Sequence, residues 1–220
     1  MRIKDAPTIL VHTYPGEFLG MMGFWSTGTS IFSNSLYSQE EATRGFTSTQ
    51  WGCLALAGTS AQAAAELAEG HGIRGAGNCL VSDADGNSMS VEHNGGGISI
   101  VPAKEGIATH ANHPEGAKTA PRELKDYATE GLTAGDREDS RYRMHGLWTQ
   151  FNAERGRVSA QKAMQILADH SCYPVGVCSH MHAGDPERGT TAAIVAEPRR
   201  ELLHATRGNP CCNWPSTFEM

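Results

Sequence analysis

The chain has 220 residues, 39% of them hydrophobic and 19% charged, which is enough apolar content for one sizeable core. Its formal net charge of -6 supplies no basic stripe for nucleic acid. No apolar run approaches the roughly 20 residues that crossing a membrane requires, and the charged N-terminus lacks the continuous apolar region and small-residue cleavage site of a signal peptide. A cytoplasmic protein is therefore expected.

Taken in order, residues 8–14 read as a strand closed by a Pro15-Gly16 turn, 18–24 as a second apolar run, 25–28 as a turn and 29–36 as a third strand, together a meander. A polar stretch over 38–47 leads to helical territory at 50–57. A second helix is expected to start at Thr59, where Thr59 and Gln62 have capping-box spacing, and to end at Gly70 after an alanine-rich interior. Residues 78–83 and 88–93 are strands joined by a turn containing Asp85-Gly86. Gly95 to Gly97 turn the chain into a strand over 98–101, and 107–111 follow as another.

Residues 114–139 form a long polar loop, and long loops over a sheet end tend to be functional. A helix over 141–151 presents Met144, Leu147, Trp148 and Phe151 on one face. Ser159 caps a further helix running to about residue 170, and 175–179, 190–197 and 202–206 are strands. The succession of strands, two helices, strands, two helices and strands suggests layers in which helices cover sheets.

The densest polar cluster is His110-Ala111-Asn112-His113, ended by Pro114. On a strand, His110 and Asn112 share one face and His113 takes the other. The amide of Asn112 can donate to an oxyanion and the imidazoles can move protons or bind metal. The alternative is a set of polar residues leaving a strand for solvent. No Gly-x-Ser-x-Gly elbow and no phosphate-binding loop is present. Gly72 to Gly77 precede a strand instead of following one, and read as a turn with close backbone packing.

The six cysteines, at 53, 79, 172, 178, 211 and 212, are spread out and are expected to be reduced. Cys172, Cys178, His180 and His182, with His170 beside them, are all zinc-compatible donors. They lack paired Cys-x-x-Cys or His-x-x-x-His spacing, and the plainer reading is buried thiols and surface histidines beside a strand, with no metal. Cys211-Cys212 reads as ordinary tail chemistry, and 185–189 as a solvated hairpin loop.

Several segments, in order, are similar to those of the acyl-coenzyme A:6-aminopenicillanic acid acyltransferase family, the C45-type N-terminal-nucleophile hydrolases. They are Gly20-Met-Met-Gly23-Phe-Trp-Ser-Thr-Gly28 with Asn34-Ser-Leu36, Gly77 to Gly86 with Val91-Glu92, and Thr109 to His113. Further along come Ser140-Arg141 with Arg143, Tyr173-Pro174 through Cys178, Arg188-Gly189-Thr190-Thr191, and Gly208-Asn209-Pro210.

The resemblance implies an α+β fold, a four-layer αββα sandwich in one domain over residues 1–220. It implies self-processing that frees a cysteine, which attacks an amide or thioester carbonyl to form an acyl-enzyme. Asn112 matches the oxyanion-stabilising asparagine and Arg188 an arginine near the site, while His110, His113 and Asn34 fall to supporting or substrate-side roles. The family's nucleophilic cysteine lies upstream of the first segment matched, so the nucleophile and the first strand or strands are expected to be missing, leaving an open sheet edge.

The expected activity is acyl transfer or hydrolysis of an acyl amide, amine derivative or thioester, with the nucleophile supplied by another segment. No resident cofactor is expected, with an acyl-coenzyme A as an allowed donor. A chain carrying the N-terminal segment, or a second copy, are the macromolecular partners the resemblance allows. A non-catalytic interaction protein and a Cys/His metal-binding module are the alternatives.

Overall fold

The computed structural model describes residues 7–13, 22–58, 60–183, 186 and 188–220. Six strands, β1 (Ile9–His12), β2 (Met22–Trp25), β3 (Ser30–Ser35), β4 (Gly77–Ser82), β5 (Ser88–Asn94) and β6 (Gly97–Pro102), form one antiparallel sheet in sequence order. A second, three-stranded sheet holds β7 (Ala192–Glu197), β8 (Leu202–Arg207) and β9 (Ser216–Glu219). The predicted Pro15-Gly16 turn lies outside the described residues.

Strand alternation sorts the large sheet into two unlike faces. Ile31, Cys79, Val81, Met89, Val91 and Ile98 point one way, against α1 (Ser48–Ala57) and α2 (Ala61–His71). Trp51 of α1 is fully buried there, and its indole nitrogen donates to the Ala64 carbonyl at 3.1 Å, so the largest side chain of this layer leaves no orphaned polar atom. Small alanines at 61, 64, 65 and 68 let α2 lie close to the strands. The opposite face carries Phe24, Asn78, Ser90, Glu92 and Asn94, all buried, and β2 lies against β7 of the second sheet. Beyond that sheet, α4 (Ala160–Leu167) packs on β7, and α3 (Ala134–Ala153) packs on α4. The layers are therefore helices, sheet, sheet, helices, which is the expected αββα sandwich. No helix among the described residues is long and apolar enough to cross a membrane.

Caps set the helix starts. Thr47 and Gln50 form a reciprocal capping box that starts α1 two residues before the predicted helix. Ser60, not Thr59, caps α2 by accepting from the Ala63 amide; Thr59 itself lies outside the described residues. That helix runs past Gly70 and ends at Gly72, whose φ of 74° only glycine adopts without strain. The predicted long loop over 114–139 contains two short 3-10 turns, Ala120–Arg122 and Tyr127–Glu130, and the first turns of α3.

Two predicted strands are absent. Residues 107–111 make a single bridge, Ile107 to Lys104, and no ladder. The backbone of 175–179 is a turn, with the Cys178 amide donating to the Asp169 carbonyl at 3.2 Å and the His180 amide to that of Pro174 at 2.7 Å. The exposed strand β9 was not expected, because its four residues carry no buried face to set a pattern.

Candidate functional site

Across the middle of the large sheet, Asn34, Asn78, Glu92 and Ser99 stand directly opposite one another on β3, β4, β5 and β6. Paired residues share a face, so the four make one polar row on the side away from α1 and α2. Asn78 and Glu92 have no exposed surface at all. Asn78 donates to Oδ1 of Asn34 at 3.0 Å and accepts from the Ser90 hydroxyl.

The segment 107–119 lies over this row and is bound to it through side chains. The Glu92 carboxylate accepts from Nε2 of His110 at 2.7 Å, the amides of Glu115 and Gly116 at 2.8 and 2.9 Å, and the Thr119 hydroxyl. Burial, the largest single influence on Glu92, works to raise its carboxyl. The four donors, His110 first, outweigh it and hold the group below the ordinary glutamate value. Ser99 accepts from the Lys118 amide at 3.0 Å. Gly116 allows the close approach, since a Cβ there would stand 2.2 Å from that of Ser99.

Nε2 of His110 lies 2.7 Å from the Glu92 carboxylate, and its Nδ1 lies 2.6 Å from the Ala111 carbonyl and 3.4 Å from Nδ2 of Asn34. The Ala111 carbonyl also takes the Asn34 side-chain amide. Asn34 and His110 thus jointly fix the peptide just before Asn112.

Asn112 is anchored at every polar atom. Its amide donates to Oγ of Ser140 at 2.7 Å, its carbonyl accepts from the Tyr37 amide at 2.6 Å, its Nδ2 donates to the Ser35 carbonyl at 2.9 Å, and its Oδ1 accepts from Arg143 at 2.8 Å. Ser140 on α3 also accepts from the His113 amide at 3.0 Å and lies 2.9 Å from Nδ1 of His113. A hydroxyl that accepts from two amides has one proton left to give, so it donates to Nδ1, which fixes His113 with its proton on Nε2. Burial first, then the fields of His110 and Arg141, push the His113 imidazole down to about 4. It is a neutral ring, locked in place.

α3 brings the cationic side. Thr133 and Asp136 cap it reciprocally, and Asp136 also receives Arg188 at 2.9 Å. One turn on, Asp139 receives Nε of Arg143 at 2.7 Å, and the other arm of that guanidinium holds Asn112. The Tyr37 phenol, raised by burial, lies within the fields of Arg143, Asp136, Asp139 and Arg188, so the two arginines border one region. Arg188 has about half its side chain exposed (53%).

A cleft of about 430 Å³ opens at this end of the sheet, lined by Met22, Asn34, Asn78, Cys79 and His93 among others. Burial pushes the Cys79 thiol up to about 12 and the His93 imidazole down to about 4.

The structure brings Asn34, His110, Asn112 and His113 together, and Arg188 pairs with Asp136 in the first turn of the adjoining helix. The roles of Asn78, Glu92, Ser140 and Arg143 were not apparent in the sequence, although they sit in segments that carried the family resemblance. The metal grouping differs as well. His170, Cys178, His180 and Cys211 form the tight cluster of donors, while Cys172 and His182 stay outside it.

A family model described as acyl-coenzyme A:6-aminopenicillanic acid acyl-transferase matches residues 7–211. Among solved structures, a point variant of conjugated bile acid hydrolase from Clostridium perfringens is similar with a TM-score of 0.57 at 11% identity, over 91% of this chain and 77% of that one. A second variant of the same hydrolase gives 0.59 at 9%, over 97% and 82%. Penicillin V acylase from Agrobacterium tumefaciens gives 0.51 at 15%, over 89% of this chain and 64% of that one. At such identities the likeness is one of fold. No curated protein sequence matches the chain.

Proposed function

The chain belongs to the acyl-coenzyme A:6-aminopenicillanic acid acyl-transferase family, and from that premise we propose that it acts on acylated nitrogen or sulfur, by acyl transfer or amide-bond hydrolysis through an acyl-cysteine intermediate. The observation that carries this reading is the fixing of Asn112. When a nucleophile attacks a carbonyl, negative charge collects on its oxygen, and donors already in place stabilise it without reorganising. Nδ2 of Asn112 has two N–H bonds and gives one to the Ser35 carbonyl. The other serves the oxyanion. Arg143, bound to Oδ1, stops the amide from turning over and polarises it, which strengthens the remaining donor.

Asn34, His110 and His113 are positioning residues in this scheme. Their polar atoms are engaged with Ala111, Glu92 and Ser140, which hold the peptide on either side of Asn112. Arg188, steadied by Asp136, orients the polar part of the substrate. In this reading the nucleophile is a cysteine of a preceding segment, as the family resemblance implies. Cys79 has its thiol pushed far above neutrality, and Cys178 and Cys211 belong to the cluster with His170 and His180. The relatives' substrates suggest the compounds to try: a conjugated bile acid, penicillin V, and 6-aminopenicillanic acid with an acyl-coenzyme A.

The test is to express the chain together with the coding sequence immediately upstream of it and to offer these three substrates. Turnover, with an acyl adduct on a cysteine of the upstream segment by intact mass, is the expected result. A stop codon directly upstream, together with no adduct from any of the three, would overturn the reading.

A further inference from the structure

Beyond the C-terminal end of α4, four donors from three separate stretches of chain converge. His170 follows α4, Cys178 and His180 lie on the turn that comes next, and Cys211 lies on the connection from β8 to β9. Their ligand atoms all lie within 4.8 Å of one another. We propose that His170, Cys178, His180 and Cys211 are a tetrahedral binding site for a thiophilic divalent cation, zinc above all.

Three of the six donor spacings, all from His180, match the edges of a coordination tetrahedron. Nε2 of His170 is 3.0 Å from Nε2 of His180, which is 3.6 Å from Sγ of Cys178 and 3.4 Å from Sγ of Cys211. A tetrahedron with zinc bonds of about 2.05 Å to nitrogen and 2.3 Å to sulfur has edges of about 3.3 Å between nitrogens and 3.6 Å between nitrogen and sulfur. The three distances fall within about 0.3 Å of those edges. Two thiolates and two imidazoles also match the preference of zinc over magnesium or calcium, which favour oxygen.

The surroundings support the donors. Nδ2 of Asn209 lies 3.4 Å from Sγ of Cys178 and 2.7 Å from the Ser179 carbonyl, so one amide orients a sulfur and braces the turn that bears it. Amide hydrogen bonds from Cys178 and His180 to the Asp169 and Pro174 carbonyls fix the same turn. Cys178 is buried, whereas His170 and Cys211 are exposed, which gives an ion a route in from solvent. With four protein ligands no coordination position remains for a substrate, so the ion is structural. It would tie the β8–β9 connection to the end of α4. Binding displaces the two thiol protons, which pass to solvent.

The experiment uses the whole chain, purified reduced and stripped of metal, and titrated with cobalt(II) and then zinc. One equivalent of cobalt is expected to give the intense visible bands of a tetrahedral ion and thiolate-to-cobalt charge transfer in the near ultraviolet. Zinc should bleach both by displacing the cobalt; added instead to the metal-free chain, it should release about two protons per ion and raise the melting temperature. Cys211 is exposed, so Cys211→Ser tests the site without disturbing packing. It should weaken zinc binding by more than the roughly 10–100-fold expected of Asn209→Ala, which removes the supporting hydrogen bonds to Cys178 and Ser179 but no ligand. Cys172→Ser and Cys212→Ser should leave the cobalt spectrum unchanged. Octahedral cobalt, the same spectrum in Cys211→Ser, or no metal bound by the fully reduced chain would each overturn the proposal.

Discussion

Nε2 of His110 lies 2.7 Å from Oε1 of Glu92, and neither side chain has more than 1% of its surface exposed. Three further donors close around the carboxylate, so this buried charge is matched by donors instead of standing alone. Glu92→Gln keeps the shape but turns one acceptor into an amide facing other donors. Leaving a buried hydrogen-bonding group unmatched costs about 1–3 kcal/mol. Urea unfolding of the variant should show a loss of that order. A loss under about 1 kcal/mol, the range of exposed ion pairs, would mean that Glu92 is not the anchor of segment 107–119.

The two buried imidazoles give a pH signature. Burial holds His113 and His93 down near about 4 in the fold, while in the unfolded chain both titrate near about 6.5. Between these values the unfolded state binds protons that the folded state refuses. Stability is therefore complete above about pH 6.5 and falls as pH drops toward 4, each ring adding a slope of up to about 1.4 kcal/mol per pH unit. Glu92, also depressed, loses its contribution only below the ordinary glutamate value, so it leaves the upper part of the window clear. His113→Gln should flatten the pH dependence of unfolding free energy between about pH 6.5 and 5. A slope identical to that of the parent protein would show that His113 is protonated in the fold.

The hairpins were legible because alternation and turn chemistry agree, as at Asp85-Gly86 between β4 and β5. Segment 107–111 was misread for an instructive reason. Its apolar, β-prone residues suit a strand, but the chain around Ala111 is satisfied by side chains and by one distant amide. The Ala111 carbonyl goes to Asn34 and His110, the Asn112 and His113 amides go to Ser140, and the Asn112 carbonyl goes to Tyr37. No local pattern announces partners that arrive from β3 and α3. Glu92 was obscured in a related way. Ser90, Glu92 and Asn94 alternate with apolar neighbours, as on a strand with a wetted face, yet this face is buried. The donor cluster was half visible, since Cys178 and His180 are close in sequence, whereas Cys211 is joined to them only by the fold.

Gly116 offers a steric test of how closely the loop lies on the sheet. A Cβ at this position would come within 2.2 Å of Cβ and 2.6 Å of Oγ of Ser99, and within 2.8 Å of Oγ1 of Thr119. The backbone must therefore lift, and the Gly116 amide would leave Glu92. Overpacking of this kind costs about 1–3 kcal/mol. Gly116→Ala should lower stability by that amount, and because Gly116 is not among the positive-φ glycines the loss is steric. A loss under about 0.5 kcal/mol, the range of ordinary surface substitutions, would remove the packing argument.

The oxyanion assignment can be separated from mere structural support by comparing two substitutions and their double variant in the active, reconstituted enzyme. Asn112→Ala deletes the donor and should lower kcat by about 10²–10³ with little change in KM, because the interaction forms only as charge develops. Arg143→Lys keeps the positive charge but cannot reach Asp139 and Asn112 together, since one ammonium does not replace a two-armed guanidinium. It leaves the donor present but less well aimed, so its loss in kcat should be smaller than that of Asn112→Ala. In the double variant the two effects should fall well short of multiplying, because once the donor is gone Arg143 has nothing left to aim. Full multiplication would show that Arg143 acts independently of Asn112. Unchanged kcat in Asn112→Ala would remove the oxyanion role altogether.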